Sequence, residues 1–208
     1  MARYTGSVCR LCRRAGEKLF LKGERCFTPK CAVERRRKPP GEPSQRRRRA
    51  SDRGVQLREK QKMRVAYGIL ERQFRGYFEE ARKVPQATGE VLTQLLERRL
   101  DNVIFRLDFA ESRSQARQFV RHGHITVGGR KVNIPSYRVK TEEVIAWRPS
   151  SQDKEFVKTL VGGIPRKSVP EWLSLNTDSL TGKVLRLPQA DDAENIVDTR
   201  LIVEYYSK

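Results

Sequence analysis

Four cysteines carry the most specific chemistry in this chain. Cys9, Cys12, Cys26 and Cys31 lie in the first 31 residues, and the other 177 of the 208 residues contain none. They are spaced Cys-x2-Cys and Cys-x4-Cys, with thirteen residues between the pairs. Two close pairs joined by a short loop suit a tetrahedral metal, because each pair forms a knuckle that presents two thiolates. Gly16, Gly23 and Pro29 place turn-forming residues where such knuckles bend. Two disulfides, in any of three connectivities, are the other way to pair the four thiols, and they need an oxidising compartment. No charged start followed by an apolar stretch opens the chain, and no apolar run approaches the roughly 18 residues of a membrane span. The expected location is therefore the cytosol, where thiols stay reduced and no membrane partner is implied. Zn2+ is the expected ion, and an iron–sulfur cluster is the alternative that four thiolates can hold. Its role would be structural, since four protein ligands leave no position for a catalytic water. Arg10, Arg13, Arg14 and Arg25 sit beside the ligands and would offset the negative charge of a four-thiolate site.

The elements that must position this chemistry are charged and thinly cored. The formal net charge is +19, with 44 Lys and Arg against 25 Asp and Glu. Leu, Ile, Val and Phe make up 51 of 208 residues, enough for a modest core. A charge this large repels itself and is eased by a polyanion, so on charge alone the expected class of partner is nucleic acid or an anionic membrane surface. The excess is uneven. Residues 1–60 carry a net +13 and residues 61–208 a net +6. Residues 34–54 contain no Leu, Ile, Val, Met or aromatic side chain, so nothing there can bury surface. Within them lie two cationic blocks, Arg35, Arg36, Arg37 and Lys38, then Arg46, Arg47, Arg48 and Arg49. Arginine forks match phosphate oxygens, and the stretch reads as an arm that orders on phosphates rather than a spacer, with a nuclear import signal as the alternative of the same composition.

Two helices are expected next. Ser51-Asp52 caps one that runs through Val55, Leu57 and Met63 towards Tyr67-Gly68. Phe74, Tyr77, Phe78 and Ala81 follow at i, i+3, i+4 and i+7, the spacing of a buried helix face. From Val91 to Leu107 the pattern is one long amphipathic helix or two in tandem, with Glu97, Arg98, Arg99 and Arg106 on its polar side. Ser112 and Gln115 form a capping box, and Gly123 stops the helix they open. On that helix Ala116, Phe119 and Val120 face the core, and Arg113, Arg117 and Arg121 make one cationic stripe at a spacing of four. Ile125-Thr126-Val127, the Gly128-Gly129 turn and Arg130-Lys131-Val132 read as a hairpin that adds two cations, Arg130 and Lys131. One more strand pair is expected from Tyr137, Val139, Ile145 and Trp147. Beyond residue 150, strands are expected around Trp172 to Leu175, Val184 to Leu187 and Leu201 to Tyr206. Residues 191–208 hold five acids and two bases, which suits packing on protein better than gripping RNA.

Several of these stretches together resemble a known family. Arg98-Arg99-Leu100-Asp101-Asn102-Val103, Ser114-Gln115-Ala116-Arg117-Gln118 and Arg121-His122-Gly123-His124-Ile125-Thr126-Val127 are similar to the small RNA-binding module named after the fourth protein of the small ribosomal subunit. Met1 to Gly6, Leu57 to Lys62, Tyr67-Gly68-Ile69, Glu71 to Arg75 and Leu201 to Lys208 extend the likeness along the chain. It is a likeness to the bacterial ribosomal protein family in its four-cysteine form. Gly128-Gly129 replaces the family's usual Asn-Gly, and Arg53 stands where an aromatic residue is common.

The resemblance implies a structural protein that binds 16S rRNA early, at a helix junction in its five-prime domain, and nucleates assembly of the subunit body. It also implies contact with mRNA at the pore where the message enters, with Arg46 and Arg49 most like the pore-lining pair. A further implied partner is small-subunit ribosomal protein five, with an influence on decoding accuracy. The expected fold is α+β and multi-domain: a metal-stapled basic N-terminal segment (1–45), a helical domain (46–90), an inserted helix–helix–hairpin RNA-binding module (91–150), and a C-terminal segment (151–208) with short β strands that returns to the helical domain. The rival reading is an RNA-modifying enzyme, since pseudouridine synthases and tyrosyl-tRNA synthetases carry a similar module. Only two histidines exist, His122 and His124, and they flank Gly123 without a cysteine or carboxylate at a triad-like spacing.

Overall fold

A computed structural model describes residues 4–36, 38–41, 51–161, 168–194 and 197–207. In chain order the helices are α1 (Cys9–Ala15), α2 (Ala32–Arg35), α3 (Asp52–Ala66), α4 (Glu71–Ala81), α5 (Thr88–Glu97), α6 (Leu100–Arg106) and α7 (Arg113–Arg121). Three strands follow, β1 (Ile125–Val127), β2 (Arg130–Lys131) and β3 (Val144–Trp147). Then come α8 (Pro149–Gln152), α9 (Glu155–Val161), β4 (Leu173–Asn176), β5 (Thr181–Val184) and α10 (Thr199–Ser207). The chain divides into two compact units, residues 1–92 with 194–208, and residues 93–193.

In the first unit, α3 opens on Ser51, whose hydroxyl accepts from the Gly54 N–H at 3.2 Å. Phe74, Tyr77, Phe78 and Ala81 of α4 are buried, as their spacing predicts. Val55 and Leu57 of α3, by contrast, are exposed, and the covered face of that helix is Gln56, Lys60, Met63 and Ala66. The cover comes from the C-terminus. Leu201 to Tyr206 is not a strand but the body of α10. Apolar residues at 201, 202, 205 and 206 recur with helical spacing, and helix lets Ile202 bury fully. Tyr206 stacks on Phe78 with ring centroids 4.4 Å apart. Its hydroxyl donates to Glu71 at 2.8 Å, Lys60 donates to the same carboxylate at 2.6 Å, and Gln56 donates to Glu204 at 2.8 Å.

The second unit is built on a five-stranded antiparallel sheet in the order β2-β1-β3-β5-β4. The β1–β2 hairpin pairs Val127 with Arg130, leaving Gly128 and Gly129 as a two-residue turn. Both have positive φ, 54° and 76°, the combination a tight hairpin of the right twist requires. β3 pairs with β1 on one side and β5 on the other. A Cβ on Gly182 of β5 would lie 2.3 Å from Leu107, so glycine there lets α6 approach the sheet. Trp147, Trp172, Phe109, Ile125 and Leu100 lie in the core.

The choice between one helix and two over 91–107 resolves, and two other expectations about this unit change. The stretch 91–107 is two helices, broken at Arg98-Arg99, where the backbone turns to meet the loop before β3. Val139 N–H donates to Arg98 O at 2.9 Å, and Leu100 N–H to Tyr137 O at 2.8 Å. Tyr137 and Val139 therefore form no strand pair; only the bridge between Arg99 and Arg138 has ladder character. The boundary expected at 150/151 is also displaced. Residues 151–193 stay with the module, because β5 completes the sheet beside β3, and only 194–208 joins the helical unit.

Candidate nucleic-acid interface

The cations singled out along the sequence occupy unlike environments. On α7, Ser112 caps the helix by accepting from the Gln115 N–H at 3.3 Å, while the Gln115 side chain accepts from Glu111 N–H at 2.8 Å rather than returning to Ser112. Ala116, Phe119 and Val120 are buried. The stripe Arg113, Arg117, Arg121 is not one open face. Arg121 is exposed, Arg113 half-buried and Arg117 buried. Four residues of helix turn the chain by 400°, so each step rotates the stripe by about 40°, and here it rolls Arg117 onto α6.

Arg117 meets Asp101 there at 3.3 Å. Asp101 also takes a two-pronged bond from Arg99, at 3.0 and 2.7 Å. Burial pulls the Arg117 guanidinium below its usual range, and Asp101 opposes the shift. A second pair lies alongside. Arg106 donates to Glu97 at 3.1 and 3.0 Å, and Asn102 donates to the same carboxylate at 2.8 Å. Arg113 donates to the Asn102 side-chain oxygen at 2.8 Å and lies 4.4 Å over the Phe105 ring. Glu97, Arg99, Asp101 and Asn102 are buried, and Arg106 is half-buried. The expected polar side of the tandem helices is therefore an internal ionic network that ties α5, α6 and α7 together. Their spacing does not mark them as internal: Arg99, Asp101, Asn102 and Arg106 fall within about half of the helix circumference, and the packing of α5 and α7 is what covers them.

Of the cations expected to bind RNA in this unit, Arg121 on α7 and Arg130 and Lys131 on the hairpin are exposed. Arg148 and Lys154 are exposed too, and the sequence reading passed over both. Their positive charges, with burial as the larger cause, hold the His124 imidazole below its ordinary value. His124 Nδ1 is 3.0 Å from the Ser151 hydroxyl, which fixes the ring.

In the first unit, Cys9, Cys12, Cys26 and Cys31 line one small cavity of about 20 Å³. Cys12, Cys26 and Cys31 are buried, Cys9 is half-buried, and none is in a disulfide. Burial pushes the Cys12 and Cys26 thiols up, while backbone N–H groups of Leu19 and Lys22 act in the opposite sense. The Lys22 N–H lies 3.4 Å from Cys26 Sγ. N–H groups aimed at sulfur favour thiolate, so the donor set fits a soft cation. The four sulfurs are not drawn into a cage, and among the described residues no group of His, Cys, Asp and Glu is arranged to hold a metal as it stands. Arg35, Arg36 and Lys38 are exposed just beyond. Arg13 donates to the carbonyls of Lys38 and Pro39 at 3.0 and 3.3 Å, which fastens the start of the arm. Arg37 and Arg46 to Arg49 lie outside the described residues.

Comparison with known proteins gives this pattern a lineage. Residues 3–97 match the family model of the ribosomal protein S4/S9 N-terminal domain, and residues 98–145 match the S4 domain. The small ribosomal subunit protein uS4 of Pelotomaculum thermopropionicum is 56% identical over 208 residues, all of both chains. That of Heliobacterium modesticaldum is 54% identical over the same span. The chain belongs to the uS4 family. A further uS4 protein, from Thermus thermophilus, is 55% identical over 209 residues and again covers both chains in full. The uS4 relatives are named as ribosomal proteins, not enzymes, and their likeness covers every segment of the chain, which removes the RNA-modifying enzyme as an account of it. Among the described residues no helix is long and apolar enough to cross a membrane.

Proposed function

We propose that this chain is a structural constituent of the small ribosomal subunit and binds its ribosomal RNA directly. The observation that carries the reading is the full-length identity of more than half to uS4 proteins, with no stretch of either chain left over. The physical setting agrees. A net charge of +19 needs a polyanion, and double-helical RNA is recognised mainly through its shape and backbone, for which exposed arginines suffice. Arg121, Arg130 and Lys131 form the module's grip, and Arg35, Arg36 and Lys38 begin the grip of the arm. Arg113 and Arg117 act behind that surface by fixing α7.

Within this reading, 16S rRNA is the primary partner and the five-prime helix junction its target. Arg46 to Arg49 touch mRNA where it enters, and small-subunit ribosomal protein five is the neighbouring protein. Cys9, Cys12, Cys26 and Cys31 hold Zn2+, or an iron–sulfur cluster, as a structural crosslink. The support for a metal is the shared cavity and the all-sulfur donor set.

Titration of the full chain onto a five-prime-domain fragment of 16S rRNA tests the reading. If about 8 phosphates are neutralised, log K falls against log salt with a slope of roughly −6 to −7, at about −0.7 to −0.9 per contact. A slope shallower than about −2 would mean that the charge excess does not bind phosphate.

A further inference from the structure

One part of the module is unused by this account. Between α7 and α9 lies an open groove of about 650 Å³ whose apolar floor is Phe119, Phe156 and Leu160. Phe119 and Phe156 stack with centroids 5.6 Å apart and planes inclined by 21°. The edge of His124 meets Phe156 at 5.4 Å. Phe156 is nonetheless 37% exposed in the groove. Gln118, His122 and Glu155 also line the groove, and among the described residues their side chains make no hydrogen bond or ion pair. Lys154 and Arg148 are exposed, and their charges act on His124 of the groove wall.

We infer that this groove receives an unstacked RNA base, guanine in preference to uracil, with Phe156 as the stacking platform and Glu155 as the reader of the base edge. The inference rests on the RNA-binding reading above and deepens it. Single-stranded RNA is recognised by stacking splayed bases on aromatic rings and bonding their edges, with cations tracking the backbone. The groove supplies a partly exposed aromatic ring, polar side chains without partners among the described residues, and two cations close to His124. An apolar peptide segment would use the floor but would leave the Glu155 carboxylate and the Gln118 amide covered and unpaired, which costs binding. The carboxylate also sets the preference. Guanine presents two adjacent N–H donors, N1–H and N2–H, which a carboxylate accepts together. Uracil presents one, flanked by two carbonyls that repel the carboxylate. A hydrogen bond to a charged group separates the two bases by about tenfold or more.

The test uses the full chain and two fluorescein-labelled hexaribonucleotides, UUGUUU and UUUUUU, titrated at low salt beside the five-prime-domain fragment of 16S rRNA. The expected result is about tenfold tighter binding of UUGUUU. Glu155→Ala should bring the two hexamers within about threefold of each other. Phe156→Leu keeps the apolar floor but loses the π face, and should weaken UUGUUU by about fivefold or more without moving the melting temperature. Equal binding of the two hexamers, or a Phe156→Leu variant that binds UUGUUU normally, overturns the inference while the rRNA fragment, still bound, leaves the RNA reading standing. Failure to bind the rRNA fragment as well would remove the RNA reading itself. A change of sedimentation coefficient on Phe156→Leu would assign the groove to contacts between copies of the chain and also overturn the inference.

Discussion

The helices of residues 93–193 bury a network of ion pairs on Asp101 and Glu97, whereas the clasp on Glu71 in residues 1–92 with 194–208 stands half in water. In the former, Glu97 and Asp101 are almost wholly covered, and each is satisfied by donors from two residues. In the latter, the shared acceptor Glu71 has a side chain 44% exposed while bonding Lys60 and Tyr206. The contrast bears on function. A buried network tolerates no loose member, so it fixes α7 and sends Arg121 outward from a rigid base. A half-exposed clasp contributes less and tolerates adjustment, which suits a unit whose cationic arm has no core of its own. It also means that a basic residue in this family's sequence is not by type an RNA contact. Arg99 and Arg117 hold the fold, while Arg121 and Arg130, a few residues away, face solvent.

The largest expected effect lies in the cysteine segment, the one part of the comparison that a metal would hold. Structural Zn2+ binds four-ligand peptides with an apparent free energy of about 10–16 kcal/mol at neutral pH. Cys12→Ser should therefore open the segment through Arg35 to protease while leaving α6, α7 and the sheet protected against hydrogen exchange. A stoichiometric-metal measurement on protein purified without chelator checks the same point, and finding none would end the metal account.

Next comes the buried network. Asp101→Ala strands Arg99 and Arg117 without a counter-charge. Breaking one partner of a buried pair costs about 3–5 kcal/mol, which at about 2–4 °C per kcal/mol lowers the melting temperature by roughly 10 °C in a chain of this size. A shift under about 2 °C would mean that the network is not what fixes α7.

The two kinds of arginine should then separate. Arg121→Glu with Arg130→Glu should weaken binding to the rRNA fragment by about tenfold, since both side chains reach phosphate through solvent, with little change in melting temperature. Arg117→Met should do the reverse, lowering stability before affinity. If both variants lose affinity and keep their stability, the stripe is a single RNA face after all.

That division marks how far the sequence could be read. The capped α3 and α7, the aromatic face of α4 and the Gly128-Gly129 hairpin were all legible, because each is decided by neighbours within a few residues. The cysteine spacing pointed to a shared site for the same reason, and the four sulfurs do line one cavity. What was not legible depended on distant partners. Leu201 to Tyr206 is rich in β-branched and aromatic residues, which suits a strand, and the partners that cover it as a helix, Phe78, Gln56 and Glu71, are distant in sequence. Glu97 and Arg99 look solvated until Arg106 and Asp101 are folded against them. Phe156 lay in a stretch with no recognisable period, and its place in the groove is set by α7, more than thirty residues earlier.

The smallest expected effect belongs to the half-exposed clasp, and it is a pH effect. Burial pushes the Glu71 carboxyl up, but the bonds from Lys60 and Tyr206 and the charges of Lys60 and Arg64 outweigh it, holding the group below its ordinary range. On the other side of the bond, burial and Glu71 push the Tyr206 hydroxyl up, so it remains a donor throughout the accessible range. A carboxyl depressed in this way binds its proton less readily folded than unfolded. It therefore stabilises the fold above its unfolded pKa and loses that contribution as pH falls through the folded one. Urea unfolding from about pH 5 down to about pH 3 should show wild type losing stability slightly faster than Glu71→Gln, the amide having no charge to lose. At neutral pH the order reverses, with wild type the more stable, because Lys60 then faces a carboxylate rather than an amide. Exposure keeps the difference small, since surface pairs are screened by water and salt. Raising the salt concentration should shrink it further, whereas the penalty of Asp101→Ala should hardly respond to salt. Parallel wild-type and Glu71→Gln curves at every pH would show that α10 is held by the Phe78–Tyr206 stack and the burial of Ile202, with the ionic clasp contributing nothing to the return of the chain's end.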